Sequence, residues 1–234
     1  MQNIKTVFLD VDDTLWAFTK NSPISLRHVY EVYGISQWCE DYEKFKAIYL
    51  VKNHELWDLY HYGKIEQHYL VTERFRYVLE KIGCDVDLNA LAAKMNEEYL
   101  SYLATLPAIV PGAKELLQYL TANGYDVNAL SNGFKGVQLK KLQSGGIDGY
   151  VRKVILSDDC GITKPLRGIF DYALEQCDAE AAKSVMIGDE YDTDIAGAHN
   201  AGWHTIFYNW RKTDAENSVA DVTVDSLEEI MKIL

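Results

Sequence analysis

Ile4-Lys5-Thr6-Val7-Phe8-Leu9-Asp10-Val11-Asp12-Asp13-Thr14 decides the fold. A short β-branched and aromatic run ends abruptly in acid, the pattern of a buried strand with a polar loop at its carboxyl end. Three carboxylates within four positions repel one another. A cation or a shared proton among them makes the arrangement tolerable. A solvated acidic turn is the plain alternative for this segment alone.

From Pro107 and Pro111-Gly112 onward the chain repeats that texture. A helix over 112–123 stops at Gly124, and a strand follows at 125–130. Then come a helix over 135–143, a strand over 151–156, a helix over 167–177, a strand over 184–187, a helix over 193–201 and a strand over 203–208. Ser226-Leu227-Glu228-Glu229 announces the last helix as a capping box. Strand alternating with helix implies a parallel sheet covered on both faces.

The stretch between is different. Ser22-Pro23 reads as a helix start and Gly34 as its stop. Three more helices are expected over 41–62, 66–82 and 87–103, with Gly63 and Gly83 as breaks. The expected architecture is therefore a three-layer α/β/α Rossmann-like core from 1–15 and 109–234. Residues 16–108 form an inserted helical cap, able to sit over the strand ends as a lid.

Composition sets limits on partners. Of 234 residues, 48% are hydrophobic and 25% charged, which are globular proportions. The net charge of −12 disfavours non-specific binding to nucleic acid polymers or anionic membranes. An anionic small substrate then needs a local positive site. No apolar run approaches the ~20 residues of a membrane span. Cys39, Cys84, Cys160 and Cys177 have no paired spacing, as expected in a reducing, cytoplasmic compartment.

Four segments lie at carboxyl ends of expected strands, the edge where open α/β sheets hold ligands. They are the Asp10–Thr14 loop, Ser131-Asn132-Gly133, Lys164-Pro165 and the acidic run from Asp189 to Asp194. Singly, the second is an ordinary turn and the third a surface lysine. Together they offer a hydroxyl, backbone N–H groups, an ammonium and two carboxylate clusters. The clusters suit Mg²⁺, a hard cation that takes oxygen ligands.

In this order the four segments resemble the motif signature of the haloacid-dehalogenase-like hydrolases. The helical insertion resembles their C1-type cap. More narrowly, Asp12–Phe18, Leu130–Phe134 with Gln138, Lys141 and Leu142, and Ile187–Glu190 are similar to the bacterial pyrimidine 5′-nucleotidase branch. The resemblance implies a Mg²⁺-dependent phosphomonoester hydrolase acting on small phosphorylated metabolites, nucleoside 5′-monophosphates first. Asp10 would be the nucleophile, forming an aspartyl-phosphate. Asp12 would be general acid and then general base, and its acidic neighbours would keep it protonated for the first step. Asp10, the Asp12 carbonyl and Asp189 would hold the metal. Ser131 and the N–H groups of Val11, Asp12 and Asn132 would bind phosphoryl oxygens, and Lys164 would balance charge. Asp194 would orient Lys164 or a water on the metal. Thr14 would tie down the loop.

Substrate contacts are expected from Asn132, Gly133, Trp16 and Phe18. The two rings either stack a nucleobase or pack cap against core. Asp12 favours phosphoester chemistry over dehalogenation, because a halide leaves unprotonated. Arg167 stands where the resemblance leads one to expect Pro, and Glu190 where Ser or Asn is usual. A sugar phosphate or phosphoglycolate is the alternative substrate, and a phosphomutase the alternative reaction. A phospho-acceptor signalling domain is the reading from another class. The motifs leave the oligomeric state open.

Overall fold

The computed structural model describes residues 1, 3–214 and 217–234. The chain runs β1 (Thr6–Leu9), α1 (Phe18–Val32), α2 (Tyr42–His61), α3 (Gln67–Lys81) and α4 (Leu88–Leu103). It continues through α5 (Ala113–Ala122), β2 (Asp126–Ser131), α6 (Gln138–Ser144), β3 (Lys153–Leu156) and the single turn α7 (Ser157–Cys160). After α8 (Arg167–Cys177) and β4 (Ser184–Gly188), a π-helical turn at Tyr191–Ala196 leads into α9 (Gly197–Asn200). β5 (His204–Tyr208), β6 (Val222–Val224) and α10 (Leu227–Ile230) complete it. Two compact units result: Met1–Phe18 with Pro107–Leu234, and Thr19–Leu106.

The first unit is the α/β core. Its six strands are all parallel, in the order β3-β2-β1-β4-β5-β6. β1 is central because its four residues are all buried. Along it side chains alternate between faces. Phe8 joins Leu130, Ile155 and Met186 in a cluster with Ile169, Phe170 and Ala173 of α8 and Ala198 of α9. Val7, Leu9, Val185 and Ile187, of opposite parity, are fully buried as well. α5 packs against β2 and α10. Both faces are thus covered, giving the expected three layers.

The strand order reverses at β1, which pairs with β2 on one side and β4 on the other. At such a switch point the connections leave in opposite directions and open a crevice beyond the strand ends. The register Leu9↔Ile187 places Asp10 beside Gly188, and Asp10 N–H donates to Ile187 C=O at 2.9 Å. The residues just past β1 and β4 therefore face the same crevice.

The second unit is a helical bundle. Asp41 caps α2 and Asp87 caps α4, each accepting two backbone N–H bonds. Such a cap contributes about 1 kcal/mol. Phe45, Tyr49, Phe75, Met95 and Tyr99 fill the interior. Tyr62 and Tyr69 are about half exposed.

Three local expectations change. α1 begins at Phe18, so Pro23 lies inside it rather than at its start. Pro23 lacks the N–H that would reach back to Thr19, a loss most easily carried near a helix start. The helix expected over 193–201 is a π-helical turn followed by one α-turn. β6 was not expected, because three residues at a sheet edge give too short a pattern to read.

Candidate active site

Lys164 sits at the centre. It is 2% exposed, and Nζ donates to Asp10 Oδ1 at 2.6 Å, Asp194 Oδ1 at 2.6 Å and Leu130 C=O at 2.9 Å. Burial works against the ammonium, but Asp10 and Asp194 beside it raise Lys164 above its ordinary value. Asn132 fixes the backbone there. Its Oδ1 accepts from Lys164 N–H at 2.7 Å and its Nδ2 donates to Lys164 C=O at 2.9 Å. This side chain was expected to bind substrate. Both ends of its amide are instead committed to the lysine backbone.

Asp194 enters from the π-helical turn. Its Oδ2 accepts from Glu190 N–H at 3.1 Å, and its side chain lies on Gly188. A Cβ at position 188 would fall 2.2 Å from Asp194 Oδ2, so the approach requires glycine. A π-turn re-aims a side chain that a regular helix would carry elsewhere.

Asp10, Asp189 and Asp194 each offer a carboxylate oxygen within 4.8 Å of the others. Burial, then its acidic neighbours, push Asp10 well above the usual carboxylate range, although Lys164 pulls it down. Burial, followed by Asp194, pushes Asp189 up to about 7 against the pull of Arg211. Asp13, also buried, joins this group through Arg211. When all are ionised, the four buried carboxylates outnumber Lys164 and Arg211 by two negative charges. Hard oxygen donors with that deficit fit a divalent cation.

The Asp189 shift has a signed consequence for the metal-free protein. An unfolded Asp titrates near ~3.9, whereas native Asp189 keeps its proton to about 7. Between those values the native state binds the extra proton, so stability falls as pH rises through the window. In EDTA, the wild type should lose stability from pH 5 to about pH 7 by up to roughly 1.4 kcal/mol per unit from this group, and no more from it above that. Asp189→Asn should flatten that slope in thermal melts. An unchanged slope would remove the assignment.

Asp12 lies apart from the three. Lys141 Nζ donates to both of its oxygens, at 2.8 and 2.9 Å, and Gln138 Nε2 donates to Oδ2 at 2.9 Å. Acidic neighbours were expected around Asp12, but its nearest partner is a buried ammonium. Lys141 and Gln138 share one face of α6 at a spacing of three. Gln138 also donates to Ser131 Oγ at 2.7 Å, and Gly133 N–H donates there at 3.0 Å. With both acceptor positions of Oγ used, the Ser131 proton is left to donate. A Cβ at position 133 would lie 1.9 Å from Gln138 Nε2, so the residue is glycine to let Gln138 pass.

The loop after β1 is held by Val11 C=O, which accepts from Leu15 and Trp16 N–H. Among the described residues the N–H groups of Val11, Asp12 and Asn132 have no protein acceptor. Thr14 Oγ1 donates to Asp189 Oδ1 at 3.0 Å. Trp16 is fully buried, with the Lys141 ammonium 4.9 Å from its ring centre. A ring so covered presents no face to a nucleobase. Phe18 is half-buried and also meets Lys141, at 5.5 Å. Arg167 pairs with Asp171 at 3.2 Å on the exposed side of α8.

Trp210 and Arg211 went unmarked in the sequence. Arg211 donates to Asp189 Oδ2 at 2.5 Å and Asp13 Oδ2 at 3.1 Å, and pairs with Glu190 at 3.0 Å. Trp210 Nε1 donates to Asp189 Oδ2 at 3.2 Å. A signal did exist, since Asn209-Trp210-Arg211 follows β5 at the same carboxyl edge as the other motifs.

A profile for haloacid dehalogenase-like hydrolases matches residues 4–202. The chain is 31% identical to the pyrimidine 5′-nucleotidase YjjG of Escherichia coli (strain K12), over 97% of this chain and 96% of that one. It is 30% identical to the pyrimidine 5′-nucleotidase PynA of Streptococcus pneumoniae (strain ATCC BAA-255 / R6), over 88% and 84%. The crystal structure of YfnB from Bacillus subtilis bound to magnesium superposes with a TM-score of 0.87 at 27% identity, covering 100% of this chain and 99% of that one.

Proposed function

Because the chain belongs to the haloacid dehalogenase-like hydrolases, we propose that it is a Mg²⁺-dependent phosphomonoesterase acting on nucleoside 5′-monophosphates. One observation carries the chemistry: Asp10, at the end of β1, is buried against Lys164 and within 4.8 Å of two further carboxylates. The substrate class rests on the two nucleotidase relatives. The helical unit, inserted in sequence after the Asp10–Trp16 loop, is assigned the selection of the leaving group.

Lys164 holds Asp10 through Oδ1, and Oδ2 accepts from no described residue. Oδ2 is therefore the oxygen directed at phosphorus. The new Oδ2–P bond forms as the ester P–O bond breaks, and the leaving alkoxide takes a proton from Asp12. Water then attacks the aspartyl-phosphate, giving its proton to Asp12 and releasing phosphate. Asp12 receives three hydrogen bonds from Lys141 and Gln138. A protonated Asp12 has less to accept with, so one of these contacts loosens during proton delivery. Ser131 and the free N–H groups of Val11 and Asp12 hold phosphoryl oxygens, and Lys164 balances their charge.

Asp10, Asp189 and the Asp12 carbonyl would hold Mg²⁺, which would supply electrostatic stabilisation of the transferring group. The excess of negative charge at the crevice leaves room for that cation.

Phosphate release from a panel of nucleoside monophosphates, sugar phosphates and phosphoglycolate tests the reading. Nucleoside 5′-monophosphates should be turned over with Mg²⁺, with activity lost in EDTA and restored by Mg²⁺. No release from any of them, or transfer to a second substrate in place of water, would overturn it.

A further inference from the structure

Arg211 engages carboxylates from two places in the fold: Asp13 in the loop after β1, and Asp189 and Glu190 just past β4. It does so in a crowded setting. Asp189 Oδ1 already accepts from Thr14, and Oδ2 from both Arg211 and Trp210. Three donors occupy three of the roughly four acceptor sites of a carboxylate that the proposed reaction needs as a metal ligand, and the nearest donor is a cation, so a divalent ion on Asp189 meets Arg211 at close range. Thr14 is fully buried in a loop tied by backbone bonds, and the indole of Trp210 is rigid. Arg211 has a long, flexible side chain that is one-third exposed. It is also the only one of the three that carries charge, so it alone is repelled by an incoming dication.

We infer that Arg211 is an internal cation that holds the metal carboxylates in the metal-free protein and leaves Asp189 when the divalent ion binds. It then acts in two opposite ways. It supports the metal-free fold, by pairing acids that would otherwise repel one another. It weakens metal binding, because the guanidinium repels the ion and its charge-assisted hydrogen bond to Asp189 has to be given up. This inference rests on the reading of Asp10 and Asp189 as metal ligands.

Calorimetric titration of Mg²⁺ into metal-stripped protein, paired with thermal melts, tests both effects without reference to turnover. Arg211→Gln should bind Mg²⁺ about tenfold tighter than wild type, the scale of one charge-assisted contact. Its metal-free melting temperature should fall, and the rise on adding Mg²⁺ should be larger than in wild type. Arg211→Lys keeps the charge but not the fork, and should lie between. If wild type binds Mg²⁺ in a manner lost in Asp189→Asn, while Arg211→Gln binds equally or more weakly, the inference is wrong and the metal site stands. If Asp189→Asn binds as wild type does, the metal site itself fails and the inference with it.

Discussion

Asp10→Asn is expected to abolish phosphate release, lowering kcat by at least about 10⁴-fold, the scale of losing a covalent nucleophile. The amide is almost isosteric, so the pocket keeps its shape. What goes is the attacking carboxylate oxygen. The stability arm separates this role from a structural one. Burial raises Asp10 well above the usual carboxylate range, so at neutral pH its charge is held at a cost in the metal-free protein. The asparagine does not carry that cost, and Lys164 keeps Asp194 and the Leu130 carbonyl as partners. Melting in EDTA should therefore occur at or above the wild-type temperature while turnover is lost. Turnover within about tenfold of wild type would remove Asp10 as nucleophile. A large drop in melting temperature would make its role structural.

The sequence revealed those parts of the fold that follow from local pattern. Val7, Phe8 and Leu9 read as a strand because every residue in them is buried, and the acids that follow read as a strand end. The carboxyl-edge rule then brought Asp10, Lys164, Asp189 and Asp194 to one crevice without any knowledge of strand order. What the sequence withheld depends on direction rather than position. Asn132 sits where a substrate contact belongs, yet its amide turns back to Lys164. Asp12 is two residues from Asp10, but its side chain leaves toward α6 and Lys141. Asp194 reaches the crevice only because a π-turn replaces the expected helix. Gly133 and Gly188 look like turn residues, and their real constraint is the side chain that passes over each. Arg211 reaches Asp13 from far along the chain, a pairing no local pattern encodes.

Lys164→Met should damage fold and chemistry together, and the two losses can be separated. Methionine replaces most of the lysine stem but removes the ammonium, leaving the Oδ1 atoms of Asp10 and Asp194 buried without their 2.6 Å partner. Breaking a buried pair by removing one member costs about 3–5 kcal/mol. For a chain of this size that is a fall of roughly 6–20 °C in melting temperature. The loss should depend on pH with a definite sign. Without the ammonium, native Asp10 holds its proton to still higher pH than before, while its unfolded value stays near ~3.9. The destabilisation is then largest above neutrality and shrinks as pH falls toward 5. Adding Asp194→Asn removes one of the stranded charges and should recover part of the stability, since the two side chains touch and their effects are not additive. It should recover none of the activity, because the charge that offsets the transferring phosphoryl group is still missing, a loss of about 10²–10³ in kcat. If the double variant regained turnover along with stability, Lys164 would be only a strut between Asp10 and Asp194. If Lys164→Met melted as wild type at pH 8, the buried ion pairs described here would not exist in solution.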